Sequence, residues 1–145
     1  MKRNDSPVMV STIYKCNPKQ LWEALTHLEE MKKWYFDNIP DFKVEIGFKT
    51  KFSIINEPRT FTHNWEVTHF EDSRSIQYSW TFDEYPGKSY SRFEIDPLNN
   101  EQTKLSLTCK VIEDFPQDID EFKRESCEGG WNYFLNDRLK SYFTK

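Results

Sequence analysis

The stretch EFKRESCEGGWNYFLNDRLKSYF, from Glu121 to Phe143, decides the fold. Cys127, Trp131, Leu135, Leu139 and Tyr142 recur in it at four, four, four and three residues. That spacing places them along one side of an α-helix. Glu125, Glu128, Asn132, Asn136 and Lys140 fall on nearly the opposite side, as a solvated face requires. Asp118 followed by Glu121 predicts a capping box at the start. The helix would then run about 25 residues, or roughly 37 Å at ~1.5 Å per residue. Gly129 and Gly130 stand side by side inside it, each costing ~1 kcal/mol relative to alanine. They imply a close backbone approach or empty space beside the helix.

Upstream of this helix the hydrophobic period is two. Phe48, Thr50, Phe52 and Ile54 alternate with polar residues, as do Phe61, His63, Trp65, Val67 and His69. Ile76, Tyr78, Trp80 and Phe82 do the same, then Phe93 and Ile95, then Leu105, Leu107, Cys109 and Val111. Phe42, Val44 and Ile46 also alternate, which predicts a further strand ending in a hairpin at Gly47. The intervening segments are turn-rich: Asn56 to Arg59, Glu71 to Arg74, Tyr85 to Gly87 and Pro97 to Asn100. Short turns imply antiparallel neighbours. Val8 to Tyr14 supplies a first strand. Asn17, Pro18 and Gln20 then start a helix as N-cap, first and third residues. A second short helix from about Glu29 to Tyr35 buries Met31 and Trp34.

The order is therefore β-α-α, about six strands, then one long helix. A sheet with one apolar face needs a cover, and only the carboxy-terminal helix is long enough. The expected class is α+β in a helix-grip arrangement, an antiparallel curved sheet wrapped around that helix. The 145 residues read as a single domain. The 20 Lys and Arg against 24 Asp and Glu leave a charge of -4, which argues against a nucleic-acid partner. No window approaches 18 apolar residues, so no helical membrane span is expected. Met1 to Pro7 lacks the apolar segment of a signal peptide. Cys16, Cys109 and Cys127 form neither a disulfide framework nor a metal knuckle, which predicts a reducing, cytoplasmic setting.

Leu21-Trp22-Glu23-Ala24-Leu25-Thr26, Trp34, Trp65-Glu66-Val67, Arg74 with Ile76 to Trp80, and Gly130-Trp131 with Leu135 and Leu139 together resemble the START-like superfamily. Within it they are most similar to the branch named for the activator of the heat-shock protein 90 ATPase. The resemblance covers nearly the whole chain. It implies the helix-grip fold and an apolar cavity between the sheet and the last helix. The co-chaperone that names the branch has a separate amino-terminal domain important for ATPase stimulation. This chain begins at the START-like domain, so chaperone association is the alternative expectation. Trp65 and Asn64 stand where many members of the branch place a glycine, and their bulk is expected to reduce the cavity.

The residues offer little by way of catalytic chemistry. His63 and His69, six apart on one strand, would lie ~20 Å from each other and cannot share a metal. His63 is a candidate lone acid or base, or a hydrogen-bonded core histidine. Cys109 and Cys127 lack a neighbouring base by motif and read as buried thiols. The inward aromatic set is the strongest signal: Phe52, Trp65, Tyr78, Trp80, Phe93 and Trp131. With His63, Leu107, Gly130 and Leu135 it forms the expected cavity wall, with Tyr78 and His63 as polar handles. The leading expectation is a non-enzymatic monomer that binds a small hydrophobic or aromatic molecule, with no cofactor or metal. A cyclase- or aromatase-type enzyme using His63 or Tyr78 is the third possibility.

Overall fold

A computed structural model describes residues 1–144. Strand β1 spans Val8–Tyr14, followed by helices α1 (Pro18–Thr26) and α2 (Leu28–Trp34). Strands β2 (Lys49–Asn56), β3 (Arg59–Glu71), β4 (Ser75–Phe82), β5 (Lys88–Pro97) and β6 (Thr103–Glu113) form the meander. Among the described residues they make one antiparallel sheet in the order β1-β6-β5-β4-β3-β2. Helix α3 (Arg124–Asn132) continues through a π-helical segment, Tyr133–Arg138, into α4 (Leu139–Tyr142). The helix-grip arrangement is thus present, with Trp131, Leu135 and Leu139 buried against the sheet.

The start of α1 follows its local chemistry. The Asn17 side chain accepts from the Gln20 amide at 2.8 Å and the Gln20 side chain accepts from the Asn17 amide at 2.9 Å. This closes the expected capping box.

The last helix starts later than expected. Glu121 caps nothing. Its carboxylate accepts from Arg59 Nε at 2.8 Å and Asn56 Nδ2 at 2.7 Å. A 3-10 turn at Asp120–Phe122 instead drives Phe122 into the core, and the helix begins at Arg124 without a side-chain cap. Tertiary contacts override the local signal here.

The π-helical segment has a visible cause. Tyr14 on β1 donates its hydroxyl to the Leu135 carbonyl at 2.7 Å, at a buried position. A side chain that captures a helix carbonyl widens the turn.

Two strand expectations need correction. Phe42 to Ile46 is not a strand, so five strands follow the helices, not six. Phe42 is buried edge-on against Trp65 and Tyr78, while Ile46 is exposed. The segment packs as a loop and joins the sheet only at Gly47 and Phe48, which exchange backbone hydrogen bonds with Val67. Second, His69 does not share the inner face with His63. A bulge between Val67 and His69 reverses the alternation, so His69 lies opposite Gln77 and is exposed.

Candidate functional site

The aromatic inner face divides into a filled half and an open half. The filled half is organised by Trp65, which is only 2% exposed. Its ring packs within 4.7 Å of Tyr78, 4.9 Å of Phe52 and 5.3 Å of Tyr35, centroid to centroid. Tyr35, just past α2, stacks on Trp34 at 4.5 Å and bonds its hydroxyl to that of Tyr78 at 2.8 Å. Tyr78 is therefore satisfied inside the core and offers no handle to a ligand. Phe52, Trp65, Tyr78, Phe93, Leu107 and Leu135 all belong to this packed core and do not line the cavity beneath α3. Expecting them on a cavity wall overlooked Tyr35 and Phe36. The run Trp34-Tyr35-Phe36 was the available signal, since three consecutive rings cannot all face solvent.

The paired hydroxyls carry a prediction. Removing one leaves the other buried without a partner, at about 1–3 kcal/mol. Tyr35→Phe and Tyr78→Phe are each expected to lower stability by that amount in urea melts. The double variant should cost clearly less than their sum, because no orphan remains.

The open half is a cavity of about 780 Å³ between the sheet and α3. Ligand sites commonly fall in the range of roughly 300–1,000 Å³. His63 of β3, Trp80 of β4, and Gly130 and Trp131 of α3 line it, as do Phe36 and Phe134, which sequence reasoning missed. Phe115 and Phe122, stacked at 5.0 Å, also line it. Gly87, at φ +115°, lets the chain pass the Phe115 ring. A Cβ there would sit 2.3 Å from that ring. Ile55 and Tyr133, 67% and 48% exposed, mark the mouth. The Arg59–Glu121 ion pair and Asn56 hold the rim beside them.

Trp131 does not plug this space. It lies along the wall, edge-on to Trp80 at 5.8 Å and to Phe93 at 5.7 Å. Both glycines are exposed, and a Cβ built at either meets nothing within 4 Å, so neither is needed for a close backbone approach. Gly130 borders the cavity and Gly129 does not.

His63 is one of the polar groups of this wall, with Ser89, Ser126 and the Cys109 and Cys127 thiols. Its Nδ1 accepts from Trp80 Nε1 at 2.9 Å, which places the neutral ring's proton on Nε2. Among the described residues Nε2 has no hydrogen-bond partner, so the cavity wall presents a donor. Burial pulls the imidazole down to about 4, with Glu84 opposing weakly. The ring is therefore neutral at pH 7, with its one proton on Nε2. The unfolded chain titrates near the ordinary value of 6.5 and so binds more protons than the fold between those values. Stability is then full above about 6.5 and falls as pH drops toward 4. The difference corresponds to an upper bound of about 3 kcal/mol. Urea melts from pH 7 to pH 4 are expected to show this loss, and His63→Asn to remove most of it.

Among the described residues no three His, Cys, Asp or Glu side chains gather as metal ligands. Among the described residues no helix is long and apolar enough to cross a membrane.

Comparison with known proteins follows the same outline. The family model of Activator of Hsp90 ATPase homolog 1-like proteins matches residues 15–144. No curated protein matches the sequence. A crystal structure from Chromobacterium violaceum superposes with a TM-score of 0.79 at 16% identity, covering 97% of this chain and 98% of that one. The solution structure of the Aha1 dimer from Colwellia psychrerythraea gives 0.74 at 20% identity, covering 96% of each chain. An HSP90 activator from Plasmodium falciparum gives 0.71 at 20% identity, with 92% and 93% covered. At these identities the likeness to the solved structures is one of fold.

Proposed function

This chain belongs to the family of Activator of Hsp90 ATPase homolog 1-like proteins, and on that premise we propose that it holds a small hydrophobic or aromatic molecule beneath α3 without transforming it. The observation that carries this reading is the cavity itself, lined by rings and opening past Ile55 and Tyr133. Its apolar walls favour an apolar guest, since burying such surface yields about 25 cal/mol per Å². The Nε2 proton of His63 favours a guest with one hydrogen-bond acceptor, such as a carbonyl or ether oxygen. A carboxylate guest is disfavoured, because the neutral imidazole supplies no charge to offset its desolvation. Among the described residues no His, Asp or Glu side chain is hydrogen-bonded to Ser89, Ser126, Cys109 or Cys127 of the cavity, which motivates the non-enzymatic part of the proposal.

Trp80 and Trp131 report on the cavity directly. Titrating neutral aromatic ketones, phenyl ethers and acyl esters into the protein should quench tryptophan fluorescence saturably at micromolar concentrations. A response that stays linear for every member would remove the proposal.

A second reading is favoured by the family and by the likeness to the Aha1 dimer of Colwellia psychrerythraea and the HSP90 activator of Plasmodium falciparum. It makes the chain a chaperone-associated module. A pulldown and an ATPase assay with a bacterial-type heat-shock protein 90 test it. Stimulation or capture at tens of micromolar supports it, and neither would end it.

A further inference from the structure

Cys127 on α3 and Cys109 on β6 meet across the seam between helix and sheet. Their sulfur atoms are 3.9 Å apart, with the Cys127 thiol donating to Cys109. Both line the cavity, so a small solute entering it reaches the pair. Cys16, the remaining cysteine, does not border the cavity; it is buried beside Thr103, which donates to its carbonyl. We propose that Cys109 and Cys127 are a hydroperoxide-sensitive dithiol, with Cys109 as the attacking sulfur and Cys127 as the resolving one.

The surroundings of Cys109 suit an anion. Ser91 lies directly across the β5–β6 pairing from it. The Ser91 hydroxyl is buried and, among the described residues, has no hydrogen-bond partner. A hydroxyl rotor with nothing else to bond can turn toward a sulfur anion. The Cys127 thiol pulls Cys109 below the ordinary thiol value against the effect of burial, and Trp131, Ser91 and Ser89 act in the same direction. The same contact holds the Cys127 proton in place, so of the two Cys109 is the one that ionises first. The thiolate is the reactive form toward peroxides.

The steps balance. The Cys109 thiolate attacks one oxygen of a hydroperoxide, the S–O bond forms as the O–O bond breaks, and sulfur loses two electrons to the peroxide. The departing alkoxide or hydroxide takes a proton and leaves as alcohol or water. Cys127, deprotonated, then attacks the Cys109 sulfur, the S–S bond forms, and hydroxide leaves to become water. Two thiols and one hydroperoxide give one disulfide, one water and one alcohol (or a second water). Closing from 3.9 Å to a disulfide length of about 2.0 Å requires rotation of the two side chains or a shift of α3. Cys127 stands just before Gly129 and Gly130, where no side chain packs, so the helix has room to shift there.

The test treats the reduced native protein with hydrogen peroxide and, separately, with cumene hydroperoxide, then maps unreduced tryptic peptides. Cleavage at Lys110, Lys123 and Arg124 separates the two cysteines. The expected result is loss of two of the three thiols, a Cys109–Cys127 crosslink reversed by dithiothreitol, and an intact Cys16. Cys127→Ser should stop at a Cys109 sulfenic acid that dimedone traps. Cys16→Ser leaves both proposed sulfurs in place and should still form the crosslink, whatever the stability of the other variant. No thiol loss under native conditions, a link through Cys16 or between chains, or equal loss of all three thiols at the rate seen in guanidinium would each overturn the proposal.

Discussion

Trp65→Ala is expected to lower the unfolding free energy by about 3–5 kcal/mol, the range for deleting a large buried aromatic. That is a large part of the roughly 5–15 kcal/mol that holds an ordinary domain together. Trp65 sits at the centre of the filled half, touching Tyr35, Phe36, Phe52, Tyr78 and Trp80. None of these rings can collapse into the gap without losing its own contacts. Trp65→Phe should cost much less, because the indole N–H has no hydrogen-bond partner among the described residues. Removing it discards a buried, unsatisfied donor while keeping most of the ring volume. Chemical denaturation of the two variants gives the comparison. Equal costs would mean that the indole N–H is satisfied in solution.

Gly130→Leu is expected to separate binding from folding. Gly130 is exposed at the edge of the cavity and a Cβ there meets no atom, so the protein should fold. Stability should hold or rise by up to about 1 kcal/mol, since glycine is a poor helix former. Affinity for an apolar guest should fall at least tenfold, or about 1.4 kcal/mol. Gly129→Leu is the matched control. It makes the same helix gain one residue away, outside the cavity, and should leave affinity unchanged. A loss of stability in Gly130→Leu, or equal affinity in both variants, would place the guest elsewhere.

The parts of the fold legible in the sequence were those set by local chemistry. Asn17, Pro18 and Gln20 fixed the start of α1 because all three cap partners lie within four residues. The alternation along β3, β4 and β6 was legible because each strand has one wet face. Elsewhere the deciding partner was distant. Glu121 had a cap available but found Arg59. Phe42 to Ile46 alternated but found no neighbouring strand. His69 was turned outward by an extra residue that no local pattern announces.

The expected cavity wall and the observed one share four positions: His63, Trp80, Gly130 and Trp131 border the cavity. It was misjudged where inward was equated with lining. Phe52, Trp65, Tyr78, Phe93, Leu107 and Leu135 point inward onto other side chains, chiefly because Tyr35 and Phe36 enter from the loop after α2. Whether a ring meets a ring or a void depends on that loop, and its path is set by tertiary packing. The cysteine pair shows the same limit. Each thiol was assignable to an apolar face, but their 3.9 Å approach depends on where α3 crosses β6.

The most direct test of the proposed cavity function is a nitrogen-15 NMR titration with a neutral aromatic ketone. Saturable shifts are predicted at the Trp80 and Trp131 indole signals, the His63 ring and the Gly130 amide, with the Trp65 indole and the Gly129 amide moving far less. Shifts absent from all four reporters across the ligand panel, or concentrated on the exposed outer face of the sheet, would contradict it.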